Sequence, residues 1–239
     1  KRKFYLARRE SWNPLISVII PYHNSQDTIK DTLASLNWQT YKDFEVILVD
    51  DGSESGLTYD DIGEHGFREQ IIRLPKNKGA GAARNAGIQI AKGDLIFPLD
   101  ADDILIPTAL ERLKSKVGQV VYCNYVLFGN EHYIINSGEF ESQRLKAGNF
   151  IINSSLFPRS LWEQVKNKNG TGYDEEIPAW EDWLFWLEAE KLGATFTHLP
   201  EWLIMVRKRT NGRDVYSLSQ RDELRKYIEA KWPHLLGQH

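Results

Sequence analysis

Short apolar runs alternate with segments of helical periodicity along the first hundred residues. The runs LISVII at 15–20 and FEVILVD at 44–50 are rich in β-branched residues, which predicts strands buried on both faces. A third, weaker strand is predicted at 71–75 and a fourth strand at 94–99. Because such strands belong to parallel sheets covered by helices, the pattern predicts an α/β fold.

Two segments between these strands have helical spacing. The first follows Ser25, a predicted helix cap, and places Ile29, Leu33 and Leu36 on one stripe. The second, GAARNAGIQIAKG, has an apolar stripe of alanines and ends at Gly93. Up to position 99 the predicted order is therefore β-α-β, a loop-rich stretch with weak helix signals, and β-α-β.

Beyond position 100 the pattern becomes mixed. The run at 120–137 predicts a hairpin that turns at Gly129 and Asn130. Further helices are predicted at 107–117, 158–165, 180–193 and 217–232, and further strands at 194–200 and 202–209. Without an internal repeat or a low-complexity linker, one domain of two parts is expected.

The composition of the 239-residue chain is that of an ordinary globular protein. It is 41% hydrophobic and 26% charged with a net charge of −3, so nucleic-acid binding is not implied. The single Cys123, inside an apolar run, excludes a disulfide within the chain and is expected to be buried.

No apolar stretch approaches the roughly 20 residues that span a bilayer, and no apolar segment follows the basic N-terminus as in a secretory signal. We therefore predict a cytoplasmic protein without a transmembrane segment. The basic residues within 1–9 could contact an anionic membrane surface, although a solvated terminus is the simpler interpretation.

Acidic residues stand at the carboxyl ends of two predicted strands. Asp50 and Asp51 end the second strand, and Asp100, Asp102 and Asp103 follow the fourth. Ligands of open α/β sheets bind at this edge, and crowded carboxylates repel each other unless a cation or hydrogen-bond donors neutralise them. Hard oxygen ligands suit Mg²⁺ or Mn²⁺. The cluster therefore predicts a divalent-metal site that leaves coordination positions for nucleotide phosphates.

These acids have two simpler explanations. A single aspartate after a strand is often only a helix cap, and Asp103 precedes a predicted helix. An EF-hand loop is excluded, because Ile104 and Leu105 occupy the positions of a ligand and of the required glycine.

The glycine-rich segment KNKGAGAARNAG imitates a dinucleotide-binding fingerprint, with Gly79, Gly81 and Asp100 at similar spacing. Against that interpretation, Arg84 replaces the third glycine and the acid comes as a cluster. Arg84 at a helix start offers a planar donor to a diphosphate. A salt bridge from Arg84 to a nearby aspartate is the structural alternative.

Four segments together resemble the family 2 glycosyltransferases, nucleotide-sugar-dependent enzymes of the GT-A fold. They are ISVIIPYHN, FEVILVDDGS, NKGAGAARNAGIQIAKGDLIFPLDADD and WEDWLFWLEA, in this order. The resemblance runs from about Ile16 to Arg209 and implies a Rossmann-like, mostly parallel sheet flanked by helices, followed by a smaller mixed region. It divides one GT-A domain into an N-terminal extension (1–14), a donor-binding half (15–119), an acceptor-binding and catalytic half (120–212) and a C-terminal helical tail (213–239).

The resemblance implies where a UDP-sugar donor would bind. Pro21, Tyr22 and Asn24 would border the base and ribose. Asp51 matches the acid that hydrogen-bonds the uracil ring, and Asp50 would help to orient the ring or the sugar.

The metal and diphosphate contacts follow from the same resemblance. Asp100 and Asp102 match the DxD motif, the first near the ribose and the second on Mn²⁺ or Mg²⁺, and Arg84 would contact the donor. Many relatives carry a histidine that reaches the metal or diphosphate where this chain has Arg209. An arginine cannot ligate a metal, but it can contact pyrophosphate directly, as Lys208 or Arg213 could.

The catalytic residues are expected in the segment WEDW. Asp182 matches the family's catalytic base, and Glu181 would orient the acceptor. Adjacent helix residues face about 100° apart, so only one of the two carboxylates is expected to point into the cleft. Trp180 is a candidate sugar-stacking platform, whereas Trp183 and Trp186 are expected on the apolar side of the helix.

The implied reaction is inverting transfer to a hydroxyl acceptor. One base takes the acceptor proton, and a metal stabilises the departing diphosphate. Two other functions compete. A sugar nucleotidyltransferase would need a glycine-rich basic loop where PYHNSQD stands, and a non-catalytic nucleotide-sugar binding protein could dispense with Asp182. Glycan, glycolipid and other hydroxyl acceptors all fit the sequence, which determines neither the donor sugar nor the oligomeric state.

Overall fold

The computed structural model describes residues 14–116, 120–209 and 221–236. Its strands are β1 (Ile16–Tyr22), β2 (Phe44–Asp50), β3 (Arg68–Arg73), β4 (Leu95–Pro98), β5 (Ile104–Leu105), β6 (Val120–Gly129), β7 (Tyr133–Ile135), β8 (Phe157–Pro158) and β9 (Phe196–Lys208). Its α-helices are α1 (Ile29–Asn37), α2 (Tyr59–Ile62), α3 (Ala80–Ile90), α4 (Ala109–Leu113), α5 (Ser142–Ala147), α6 (Arg159–Asn169), α7 (Glu181–Lys191), α8 (Arg221–Lys231) and α9 (Pro233–Leu236).

The first sheet has the strand order β3-β2-β1-β4-β8, and only β8 runs antiparallel to its neighbour. Along β1 the buried side chains alternate between two cores: Val18 and Ile20 pack on the side of α1, and Ile19 packs on the side of α3 and α7. Because both faces of the sheet are covered, the central strands carry continuous apolar runs. The predicted parallel α/β sheet is confirmed.

The second sheet has the order β5-β9-β6-β7 and includes the predicted hairpin. The prediction of separate strands at 194–200 and 202–209 was wrong, because β9 runs continuously along β6. The pairing shifts register at Asn124, and Pro200 falls in that irregularity. A proline has no N–H for the ladder, so a bulge accommodates it without ending the strand.

Several predicted boundaries also move. Ser25 is not the cap of α1: its carbonyl accepts hydrogen bonds from Thr28 and Ile29, and the helix begins at Ile29. The helix predicted at 107–117 is one short α-helix continued by a 3₁₀ turn, Lys114–Lys116. The short elements β5, β8 and α5 were not predicted.

The close packing of α3 on the sheet depends on Gly87. A Cβ there would lie 2.6 Å from Cγ2 of Ile19 and 3.0 Å from Cγ2 of Val49. This approach brings the N-terminal end of α3 to the carboxyl edge of β1 and β2, where the predicted site lies.

In the part of the chain that the structure describes, no helix is long and apolar enough to span a membrane. Nearly all of the predicted N-terminal extension, Arg213 and the start of the predicted C-terminal helix lie outside the described residues. The predicted division into donor half, acceptor half and tail stays a prediction.

Candidate functional site

The carboxyl ends of β1, β2 and β4 meet at one edge of the first sheet. Tyr22 and Asp50 lie opposite each other in the β1–β2 register. The acids that follow β4 continue this edge, and the first turn of α7 is joined to it through Arg84. The fold therefore gathers residues that are far apart in the sequence.

Asp50 is fully buried and holds the loop that follows it. Its carboxylate accepts hydrogen bonds from the backbone nitrogens of Ser53 (2.8 Å) and Leu57 (3.0 Å), and Nε of Arg73 lies 3.5 Å from it. Burial alone would raise the pKa of Asp50. The bonds from Ser53 and Leu57 and the charge of Arg73 outweigh burial, so its pKa lies below the ordinary value.

Asp51 ties the end of β2 to the glycine-rich segment. Its two carboxylate oxygens accept hydrogen bonds from the backbone nitrogens of Lys78 and Gly79, each at 2.8 Å. The carboxylate is buried. In this structure the two bonds orient the loop that leads into α3. A contact between Asp51 and a uracil ring stays a prediction.

The three residues predicted beside the base and ribose differ in accessibility. Tyr22 lies in the core, Pro21 is half-buried and Asn24 is exposed. Asn24 has a φ of +47°, and its turn is held by bonds to Ser53 and from the backbone of Glu54. Asparagine tolerates this left-handed conformation better than most residues. Pro21 and Asn24 are therefore the members of this group that solvent reaches.

The acids after β4 have separate roles. Asp103 is buried and accepts a hydrogen bond from the backbone nitrogen of Arg207 at 3.0 Å, so it joins this loop to β9. Burial, with the charges of Asp100 and Asp102, raises the pKa of Asp103 well above its ordinary value. Burial and the charge of Asp100 also raise the pKa of Asp102 to about 6, although Arg209 and Arg207 oppose the shift.

Arg209 forms an ion pair with Asp102, the predicted metal ligand. Its Nε is 3.3 Å from Oδ2 of Asp102, and its Nη2 donates to Oγ1 of Thr28 at 3.1 Å. The arginine at the position of the family's histidine is thus paired with the second acid of the predicted DxD motif.

Asp102 offers a hard oxygen ligand that is partly open to solvent. Among residues 14–116, 120–209 and 221–236, no group of three His, Cys, Asp or Glu side chains could hold a metal by itself. The chemistry fits a divalent ion that takes its other ligands from phosphates and water, provided that the guanidinium of Arg209 moves aside.

Arg84 does not present its donors to solvent as expected for a diphosphate contact. Its side chain is 2% exposed, and it donates to Oε1 of Glu181 and to Oδ1 of Asp100, each at 2.6 Å. The alternative, a salt bridge to a nearby aspartate, is confirmed. A contact between Arg84 and the donor stays a prediction that would require this network to open.

The first turn of α7 separates its two acids. Glu181 is buried against Arg84, whereas Asp182 is partly exposed. Only one of the two residues is therefore accessible to solvent, and its position in an acceptor cleft stays a prediction. Oδ2 of Asp182 accepts a hydrogen bond from the side-chain amide of Asn149 at 2.9 Å.

The tryptophans around these acids also divide as expected. Trp183 and Trp186 are buried on the apolar side of α7, and Trp180 is half-buried. Trp180 has a φ of +68°, a strained value for a bulky residue, and its ring meets that of Trp183 edge-on. A sugar-stacking role of Trp180 stays a prediction.

Sequence reasoning missed two asparagines of the site, Asn149 and Asn153. Both lie in a segment of irregular structure without a motif, so no local signal identified them. Cys123 is buried as predicted, and burial raises the pKa of its thiol to about 12.

Residues 17–167 match the family model described as glycosyl transferase family 2, which is more than half of the chain. The chain belongs to glycosyl transferase family 2. The resemblance carried by the four motifs is thereby confirmed. Glu181 and Asp182 lie beyond the matched residues, so their roles stay predictions.

Relatives with curated descriptions agree with this family. Glycosyltransferase GlyG of Streptococcus pneumoniae is 31% identical over 188 residues, which cover 68% of this chain and 62% of GlyG. EpsJ of Bacillus subtilis, named an uncharacterized glycosyltransferase, is 28% identical over 241 residues, which cover 91% of this chain and 69% of EpsJ. The chain therefore spans less than two thirds of the length of GlyG.

Solved structures show the same fold. S. aureus TarS in complex with UDP-GlcNAc has a TM-score of 0.72 at 20% identity, over 93% of this chain and 68% of that one. The mannosyltransferase PcManGT from Pyrobaculum calidifontis, in complex with GDP-Man and Mn²⁺, has a TM-score of 0.66 at 16% identity, over 95% of this chain and 66% of that one. The predicted GT-A fold is confirmed.

Proposed function

We propose that this family 2 domain transfers a sugar from a UDP-sugar to a hydroxyl acceptor by an inverting, metal-assisted single displacement. Asp182 is the general base. The observation that carries the proposal is a partly exposed carboxylate at the start of α7, joined through Glu181 and Arg84 to the donor-side acid Asp100. A single displacement requires that the base and the donor site be held at a fixed distance and orientation.

Both fold neighbours support a nucleotide-sugar donor, and one of them supports UDP as the nucleotide. TarS was solved with UDP-GlcNAc, and PcManGT with GDP-Man and Mn²⁺. For this chain we assign the nucleotide to the loop after β2, which Asp50 and Asp51 organise. Residues 15–119 then form the donor half, and residues 120–212 contribute the base and the acceptor site.

In this mechanism a carboxylate oxygen of Asp182 takes the proton of the acceptor hydroxyl while the acceptor oxygen bonds to the anomeric carbon. The bond from that carbon to the diphosphate oxygen breaks, and UDP leaves. The hydrogen bond from Asn149 orients that carboxylate. Asp102 would hold Mn²⁺ or Mg²⁺, which would supply positive charge to stabilise the departing diphosphate. Arg209, released from Asp102, can contact the diphosphate through its planar donors.

The test is UDP release from a panel of UDP-sugars, with and without Mn²⁺. It compares the native chain with Asp182→Asn, Asp102→Ala and the control Asp94→Asn, an exposed acid before β4. We expect Asp182→Asn to lower turnover by roughly 10²- to 10⁴-fold while the UDP Kd changes less than about threefold. Asp102→Ala should remove the dependence on Mn²⁺, and Asp94→Asn should match the native chain.

Three results would each contradict part of the proposal. Unchanged transfer by Asp182→Asn would exclude this residue as the base. Failure of the native chain to bind UDP, with or without Mn²⁺, would exclude a UDP-sugar donor. UDP binding and turnover that persist without metal would remove the metal from the mechanism.

A further inference from the structure

One buried side chain joins three separate parts of this domain. Arg84, on α3, donates to Asp100 in the loop after β4 and to Glu181 in the first turn of α7. With its amide oxygen turned toward Arg84, Asn153 accepts from Nη2 at 3.0 Å and from Nε at 3.2 Å. The guanidinium therefore connects the donor edge to the helix that carries Asp182.

The charge of Arg84 is held by its partners. Burial alone would lower its pKa, but the carboxylates of Asp100 and Glu181 outweigh burial and raise it. The ring of Tyr173 lies 5.6 Å from the guanidinium carbon. A buried charge that satisfies two acids is costly to disturb, because removal of either partner leaves the other charge uncompensated.

The next residue of α3 holds the segment that precedes α7. Oδ1 of Asn85 accepts from the backbone nitrogen of Tyr173 at 2.8 Å and from Nε1 of Trp162 at 3.0 Å. Its Nδ2 donates to the carbonyl of Tyr173 at 2.8 Å. Asn85 thus binds both backbone polar groups of Tyr173 and fixes the path of the chain toward α7.

The glycine-rich motif makes this contact possible. A Cβ on Gly81 would lie 2.7 Å from the carbonyl oxygen of Asp174 and 3.5 Å from Cβ of Glu181. Only a glycine allows α3 to approach that backbone so closely. The first half of α3 therefore packs directly against residues 173–182.

We propose that Arg84 is a positioning residue, whose paired guanidinium sets the place of Asp182 relative to the donor-side acid Asp100. It acts through Glu181, which is an anchor of α7 rather than a contact to the acceptor. The inference rests on the proposed function, in which Asp182 is the base. It gives the arginine of the glycine-rich segment a role that needs no contact with the donor.

The test must separate positioning from simple stability. Arg84→Met and Glu181→Met each take an ion-pair partner away from a buried charge, so each should melt well below the native chain. The double variant removes both charges, and Asp100 keeps access to water. We expect its melting temperature to exceed that of either single variant.

Kinetics of the double variant then decide the role. We expect turnover to stay at least a hundredfold below the native value, with the donor KM and the UDP Kd within about threefold. If turnover recovers along with the melting temperature, the Arg84–Glu181 pair has only a structural role. A more than tenfold loss of UDP affinity would make Arg84 a donor contact instead.

Two further variants keep the test decisive if the double variant folds poorly. Arg84→Lys keeps the charge but loses the planar fork, and should lower kcat about tenfold without changing the donor KM. The control pair, Arg225→Met with Glu229→Met, removes a largely exposed ion pair of α8 and should leave kcat unchanged. An unaltered kcat in Arg84→Lys would overturn the inference.

Hydrogen exchange supplies a readout that needs no substrate. In Arg84→Lys and the double variant, backbone amides of residues 173–184 should exchange at least tenfold faster than in the native chain, while β1 and β2 stay protected. Unchanged protection would overturn the inference. The native chain could also fail to turn over any donor while these variants still exchange faster. That result would contradict the proposed function but support the link from Arg84 to α7.

Discussion

The side-chain amide of Asn149 donates a 2.9 Å hydrogen bond to Oδ2 of Asp182. The amide is itself oriented, because its Oδ1 accepts from the backbone nitrogen of Ile151 at 3.2 Å. The bond crosses from the irregular segment before β8 to the first turn of α7. It restricts the rotamer of the proposed base before any acceptor arrives.

Replacement of Asn149 should therefore affect turnover more than binding. We expect Asn149→Ala to lower kcat about tenfold, because Asp182 then samples several orientations, and to leave the UDP Kd unchanged. Asn149→Asp should cost more, since it puts a second negative charge beside the base. Steady-state kinetics would check this, with the exposed Gln143→Ala on α5 as control. Native kcat in both Asn149 variants would contradict the role.

Arg209 should compete with a divalent metal for Asp102. The two side chains lie 3.3 Å apart, so a metal ion must displace the guanidinium or suffer its repulsion. We expect Arg209→His to tighten Mn²⁺ binding in the presence of UDP about tenfold, as measured by calorimetry. Arg112→His, which removes an exposed arginine paired with Glu201, is the control. Weaker Mn²⁺ binding by Arg209→His would show instead that Arg209 helps to hold the metal–UDP complex.

Asp50 should stabilise the protein only while it is ionised. Its pKa is lower in the folded state than in the unfolded chain, so its contribution is present above about pH 4 and is lost as the pH falls through the folded pKa. We expect Asp50→Asn to lower the free energy of unfolding by about 2 kcal/mol at pH 7, because an amide cannot accept all of the buried N–H bonds.

Urea titrations at pH 7 and pH 3 would measure this difference, which should shrink at the lower pH. The control is Asp43→Asn, an exposed acid just before β2. An equal loss at both pH values would mean that shape, and not charge, makes Asp50 necessary.

Gly81 lies on the face of α3 that packs toward α7, and we expect this position not to tolerate a side chain. A Cβ there would meet the Asp174 carbonyl oxygen at 2.7 Å, which forces α3 and residues 173–182 apart. We expect Gly81→Ala to lower the free energy of unfolding by about 1–3 kcal/mol, despite the better helix propensity of alanine. Gly148→Ala is the matched control, because its φ of 172° is extended and nothing lies within 4 Å. Thermal unfolding that ranks the two variants equally would contradict this packing.

The sequence alone was sufficient for features that depend on local pattern. The strands around Val18 and Val46 were predicted because short β-branched runs read as buried parallel strands whatever follows them. The acids at the ends of β2 and β4 were predicted at one edge, because parallel strands share their direction. The family followed from four motifs that lie on these strands, on α3 and at the start of α7.

Only the tertiary structure decided how the charged side chains pair. Glu181 lies 97 residues from Arg84, and Arg207 lies 104 residues from Asp103, and no periodicity encodes contacts at that distance. The merger of two predicted strands into β9 likewise depends on its long pairing with β6, which absorbs Pro200 in a bulge. A guanidinium that could bind a diphosphate is buried between Asp100 and Glu181 because the fold supplies two carboxylates there, and a buried positive charge is stable only where such partners surround it.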